Sequence, residues 1–160
     1  LLTAASTSAM LLYIVTNAML FSYLLTSEQI PQAVSAWVTG QQLSPWMFLV
    51  AVNVALLFAG QFMEPSSIIL ILAPLFLPIA QGLGIDPIHL GVIMTVNMEI
   101  GMIHPPVGLN LFVASHLSKM GMTEVSIACL PWVGVMLLYL VLVTYVPQVS
   151  LWLPHALGMR

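Results

Sequence analysis

The run Ile100-Gly101-Met102-Ile103-His104-Pro105-Pro106-Val107-Gly108 lies within a long apolar stretch and cannot stay a regular helix. Two successive prolines remove two backbone N–H donors, and the first pushes His104 out of helical geometry. Lipid offers no hydrogen-bond partner, so at membrane depth the carbonyls freed by the break must be shielded by protein or must line a polar cavity. Broken membrane helices of this kind are where secondary transporters bind substrates and ions.

Composition puts the run at membrane depth. The chain is 61% hydrophobic and 4% charged, far from the roughly 25% charged residues of soluble domains. It is therefore read as an all-α polytopic membrane protein embedded in a lipid bilayer. Of its charged residues, Glu28, Asp86, Lys119, Glu124 and Arg160 punctuate apolar stretches as loop residues would, whereas Glu64 and Glu99 do not. There is no basic patch for nucleic acid, and Cys129, the single cysteine, permits neither an internal disulfide nor a cysteine metal cluster. The sequence begins inside an apolar segment without methionine or a basic n-region, which is not how a signal peptide starts. Residues 1–160 are expected to be one membrane-domain fragment of a larger subunit.

Punctuation divides that fragment into five pieces. Residues 2–26 are uncharged and exceed the ~20 residues a spanning helix needs, with Ser6, Thr7, Ser8, Thr16 and Asn17 suited to helix contacts. In 27–40, Ser27 is a candidate cap and Pro31 fits a first turn. There Ile30, Ala33, Val34, Trp37 and Val38 recur at helical spacing, predicting an interfacial amphipathic helix, with Trp37 and Trp46 in the aromatic belt. Residues 45–82 are too many for one helix across a ~30 Å core. Two short apolar arms flank Gln61-Phe62-Met63-Glu64-Pro65-Ser66, compatible with a re-entrant hairpin or with two spanning helices, and Pro74 and Pro78 should bend the second arm. Asp86-Pro87 is an N-cap followed by proline at the first helical position, so a new helix starts there and forms, over 88–120, a helix broken at the double proline. Thr123 and Glu124 then open a last spanning segment, 124–150, with Trp132 and Trp152 as interfacial anchors. Lys119 alone would put the turn after the broken helix in the cytoplasm.

Few residues can carry chemistry. On an unbroken helix Asn97, Gly101, His104 and Gly108 share one face, either as a polar cavity wall or as a close helix contact. Glu64 and Glu99 are the carboxylates of the apolar interior, where ionisable groups suggest function by default. They are candidate ion ligands or proton carriers, Glu99 equally a residue facing lipid or a neighbouring subunit. His89, His116 and His155 do not form a ligand-spaced group with His104, which argues against zinc; His89 and His155 are expected at the interface. No nucleophile elbow, phosphate loop, dinucleotide fingerprint or zinc-protease motif is present, so an enzyme is not expected.

The succession Gly60-Gln61-Phe62-Met63-Glu64, the prolines Pro74 and Pro78, Gly84-Ile85-Asp86-Pro87-Ile88-His89-Leu90-Gly91, Asn97, and Gly101 through His104-Pro105-Pro106-Val107-Gly108 to Leu109-Asn110-Leu111-Phe112-Val113 closely resembles the large membrane subunit of the tripartite ATP-independent periplasmic (TRAP) transporters. The resemblance covers most of the chain and is densest from Gly60 to Val113. It implies a multi-pass protein of the bacterial inner membrane, part of a sodium-coupled importer of organic acids. Such an importer works with a small membrane subunit and a periplasmic substrate-binding protein. It also implies an inverted-repeat elevator architecture, of which this chain resembles the second half: 2–26 scaffold, 27–40 arm, 45–82 hairpin, 88–120 broken helix.

By motif position the resemblance implies a sodium site at Gly60, Gly101, His104 and Val107, built mainly from backbone oxygens. Sodium is the one cofactor expected, as the coupling ion, with no organic cofactor. One departure stands out: the family usually has threonine before the double proline, where this chain has His104. Imidazole nitrogen is a poor sodium ligand, so His104 is expected to tune the site or to meet a substrate carboxylate. Substrate carboxylates are expected at helix starts near Ser66 and Val107, where N–H groups and the helix dipole favour anions. The candidate substrate residues are Glu64, Ser66, Asn97, His104, Pro105 and Asn110, and C4-dicarboxylates suit a histidine donor. The rival readings are a divalent-anion and sodium symporter that needs no binding protein, and an intramembrane enzyme using His104 and Glu99.

Overall fold

The computed structural model describes residues 2–30, 44–105 and 108–158, together with positions 33, 36 and 40. Among these residues all regular structure is helical, as expected of a polytopic membrane protein. The helices are α1 (Leu2–Ser27), α2 (Pro45–Gly60), α3 (Pro65–Gly82), α4 (Pro87–Ile103), α5 (Leu109–Ser118), α6 (Met122–Tyr145) and α7 (Pro147–Ala156). α3 and α6 are long and apolar enough to cross a membrane, whereas α2 and α4 are apolar but shorter.

Prolines and short polar side chains set the starts. Ser44 precedes Pro45 and its Oγ accepts from the Met47 N–H at 3.4 Å. Asp86 precedes Pro87, and its Oδ1 accepts from the N–H groups of Ile88 and His89 at 2.7 and 3.4 Å. Both carry out the same rule, a polar cap followed by a residue with no N–H to lose. Pro74 and Pro78 lie inside α3, which nonetheless continues to Gly82.

Three boundaries differ from expectation. Ser27 closes α1, its Oγ donating to the Leu24 carbonyl at 3.0 Å, and so does not cap the following segment. Half of the expected interfacial helix at 27–40, Trp37 included, lies outside the described residues. α6 starts after Gly121, whose N–H donates to Glu124 Oε2 at 3.2 Å, so Thr123 sits inside the helix rather than capping it. The expected terminal helix 124–150 is two helices: Val146 adopts φ −121° and ψ 81°, and Pro147 begins α7. The steric conflict between a proline ring and the preceding residue's helical backbone accounts for that break.

α4 is the hub. It packs against α2, α3, α5, α6 and α7, and its Leu90, Ile93, Met94, Met98 and Ile100 are buried among Leu49, Val52 and Leu56 of α2, Ile68 and Ile79 of α3, and Leu140 and Val143 of α6. Phe48 of α2 meets Phe76 of α3 edge to face, ring centroids 6.4 Å apart. Pro45 and Trp46 line one cleft with Gly84, Ile85 and Asp86, so the open ends of α2 and α3 lie together and the pair is a helical hairpin. α1 rests on α3 and leaves Leu12, Tyr13, Met19 and Tyr23 exposed. In a bilayer apolar exposure of that kind costs little, because lipid tails are as apolar as leucine; close packing and polar contacts decide which helices associate.

Candidate functional site

The tip of the hairpin and the end of α4 meet backbone to backbone. A Cβ on Gly101 would lie 2.8 Å from both Cα and C of Gly60 and 2.9 Å from the Gly60 oxygen; a Cβ on Gly60 would lie 3.2 Å from Gly101 Cα. Only glycine permits this approach, and it brings the Gly60 carbonyl to the last turn of α4. Gly60 ends α2 and Ile103 ends α4, so two helix C-termini converge. The last carbonyls of a helix lack intrahelical donors and carry the negative end of its dipole. Two such ends together form an oxygen-rich, electronegative spot without any acidic side chain.

Beyond it the break takes the form expected of the double proline. His104 is extended, at φ −85° and ψ 127°, and its N–H reaches back only to the Gly101 carbonyl at 3.4 Å. The chain then folds over itself: a Cβ on Gly108 would meet the Met102 oxygen at 2.8 Å and the His104 oxygen at 3.0 Å. The half-buried His104 ring turns inward along its own backbone, with Nδ1 on the Pro105 carbonyl. Pro105 is also half-buried, while Val107 lies outside the described residues. α5 then starts at Leu109 with no side-chain cap, and Asn110 in its first turn is exposed.

The start of α3 is finished differently. The Glu64 carboxylate accepts from the Ser66 and Ser67 N–H groups at 3.0 and 2.9 Å and from the Ser67 hydroxyl at 3.0 Å. Glu64 is exposed at the tip among the described residues, its carboxylate folded onto the start of its own helix. The Ser66 N–H, expected to meet a substrate carboxylate, is already held by this internal one. Glu99 is likewise exposed, on the face of α4 that also carries Gly91 and Thr95.

Asn97 does not line the break. Its side chain is fully buried, with Nδ2 donating to Asn53 Oδ1 and to the Ile93 carbonyl, both at 2.8 Å. Asn53 Nδ2 in turn donates to Thr144 Oγ1 at 2.9 Å. Asn53 was not singled out from the sequence, although a lone amide in an apolar arm is a recognisable signal; nothing local marks Thr144. His89 is buried, packed at the start of α4 against α7. The Ser150 hydroxyl donates to the Pro147 carbonyl at 2.9 Å, so the 2.6 Å contact is His89 Nδ1–H donating to Ser150 Oγ. The structure thus joins Gly60 to Gly101 and seats Gly108 against the Met102 and His104 backbone, while Asn97 belongs to a separate buried chain of polar groups.

Comparison with known proteins agrees with the motifs. The family model described as tripartite ATP-independent periplasmic transporter, DctM component, matches residues 1–149. The chain is 61% identical over 159 residues to the C4-dicarboxylate TRAP transporter large permease protein DctM of Rhodobacter capsulatus, covering 99% of this chain and 36% of the relative. Proteins of the same description from Pseudomonas aeruginosa and Vibrio cholerae are 60% and 56% identical, over 99% and 96% of this chain and 37% and 34% of theirs. The chain therefore spans about a third of the length of these relatives, all named as permeases rather than enzymes.

Proposed function

The chain belongs to the DctM component of the tripartite ATP-independent periplasmic transporters, and from that premise we propose that it supplies one half of the substrate and sodium path of a C4-dicarboxylate importer. In this reading the complete protein sits in the bacterial inner membrane beside a small membrane subunit and receives its substrate from a periplasmic binding protein. Residues 45–82 form a re-entrant hairpin, 88–120 the broken helix that faces it, and α1 belongs to a scaffold against which the rest moves. An inverted repeat supplied by the remainder of the permease completes the site.

The observation that carries the reading is the seating of Gly60 on Gly101 at the shared C-terminal ends of α2 and α4. Sodium, a hard cation, prefers oxygen ligands. Main-chain oxygens at two negative helix ends meet that need, and the nearby double proline keeps the α4 carbonyls from being claimed by a continuing helix. The dicarboxylate then lies on the opposite side of the break, at the uncapped start of α5 near Asn110, where N–H groups and a positive dipole end favour an anion. His104, between the two in the chain, tunes either in this reading. The substrate class is taken from the names of the relatives.

The test uses the full-length permease with its small subunit in proteoliposomes, supplied with the binding protein and radiolabelled succinate. Uptake should require an inward sodium gradient and the binding protein. Equal uptake with potassium in place of sodium would remove the coupling role, and equal uptake without the binding protein would favour a self-sufficient symporter.

A further inference from the structure

Buried polar chains are costly in a bilayer, and Asn53, Asn97 and Thr144 form one in which Asn97 and Thr144 are 0% exposed. Replacing hydrogen-bonded partners together with apolar groups of similar shape is often nearly neutral for stability, so a leucine and valine core would hold these helices as well. What an amide chain adds is direction. The contact between Gly60 and Gly101, like the apolar packing of α2 on α4 that accompanies it, contains no directional bond. The Asn53–Asn97 hydrogen bond lies seven residues before Gly60 on one helix and four before Gly101 on the other. Added to the apolar packing of Leu49, Val52 and Leu56, it is the one directional bond between α2 and α4 among the described residues.

The chain is also arranged so that its geometry is determined. Asn97 Nδ2 spends one hydrogen on its own helix, at the Ile93 carbonyl, and the other on Asn53 Oδ1. Asn53 is oriented in turn because its Nδ2 is held by Thr144 on α6. Asn97 Oδ1 has no partner among the described residues, so the hold is exerted through the N–H₂ end alone. The Asn97 main-chain oxygen lies 3.9 Å from where a Gly60 Cβ would be, next to the glycine contact itself.

We propose that Asn97, oriented by Asn53 and Thr144, is a positioning residue that sets the register of α2 on α4 and thereby the spacing of the main-chain oxygens at Gly60 and Gly101. The proposal rests on the sodium reading given above and goes beyond it by naming side chains that touch neither ion nor substrate. Losing them should weaken sodium while sparing the dicarboxylate.

The experiment measures succinate uptake against sodium concentration, and against succinate at saturating sodium, in the full-length permease with its partners. The paired variant Asn53→Leu/Asn97→Leu should reach the membrane and melt in detergent like the parent, yet raise the sodium half-saturation about tenfold, the scale of one lost buried hydrogen bond, with KM for succinate changed less than about twofold. Thr144→Val should raise sodium half-saturation by a smaller factor and Thr144→Ser should restore it, a rescue that volume alone does not predict. Parent-like sodium half-saturation in the paired variant overturns the proposal. If that variant does not fold, equal behaviour of Thr144→Val and Thr144→Ser overturns it instead. Gly101→Ala separates the two levels: unchanged sodium dependence there removes the sodium site itself, whereas a loss there with parent-like Thr144→Val and paired variants removes only the positioning role.

Discussion

α3 and α5 both begin just past an interruption in apolar helix, each beside proline, yet their first turns are finished in opposite ways. At α3, Glu64 folds its carboxylate onto the Ser66 and Ser67 N–H groups; at α5, Gly108 offers no side chain and the first turn has no cap of its own. A helix start that carries its own anion gains stability and gives up its attraction for another, since the same donors and dipole serve both. A start left uncapped keeps that capacity. In the function proposed above the two starts do different work: the α3 start holds the hairpin tip in shape, and the α5 start, with no side-chain cap, would receive a carboxylate.

The largest expected effect tests the floor common to both regions, the glycine contact. Gly101→Ala would thrust a Cβ into the Gly60 backbone at 2.8 Å, where no side chain can swing aside, and should cut sodium-dependent uptake by about tenfold to a hundredfold, on the scale of an overpacking cost. Gly60→Ala, whose Cβ would meet Gly101 Cα at 3.2 Å, should lose less than Gly101→Ala in the same uptake assay. An intermediate effect separates the two helix starts: Asn110→Leu should raise the KM for succinate about tenfold, as loss of a polar contact does, while Ser66→Leu should raise it less than about threefold. The reverse order would mean that substrate displaces Glu64 at the tip. The smallest effect is structural: Glu64→Ala should lower stability by about 1 kcal/mol through the lost cap, read as a shifted melting temperature in detergent, with sodium half-saturation unchanged.

Much of the architecture was legible because proline and capping residues act locally. Asp86-Pro87, Ser44-Pro45 and the double proline each mark a boundary that the backbone obeys. Pro147 carries the same signal, and Val146 obeys it too, but the apolar run through Thr144 and Tyr145 hid the division between α6 and α7. The cap at Glu64 was hidden for a related reason: hydropathy places the residue between two apolar arms, whereas the contact is made with the N–H groups two and three residues on. Asn97 was marked by its motif, but its partners were not. Its neighbours Asn53 and Thr144 lie 91 residues apart in the chain, and helical periodicity says nothing about pairing at that distance. The contact of Gly60 with Gly101 was expected only through family resemblance; the residues by themselves identify two glycines, not their meeting.

The central claim is that sodium is held by main-chain oxygens that the break exposes, with His104 adjusting the site rather than supplying its essential ligand. Sodium titration of succinate uptake in the complete transporter, comparing Pro105→Ala with His104→Thr, tests it most directly. Removing the proline lets the helix partly close and reclaim its carbonyls, so Pro105→Ala should lose most sodium-dependent uptake, while His104→Thr, which restores an oxygen at that position, should keep its sodium dependence. A His104→Thr variant with no sodium dependence, beside a Pro105→Ala variant that behaves like the parent, would contradict the account and make the imidazole the coupling element.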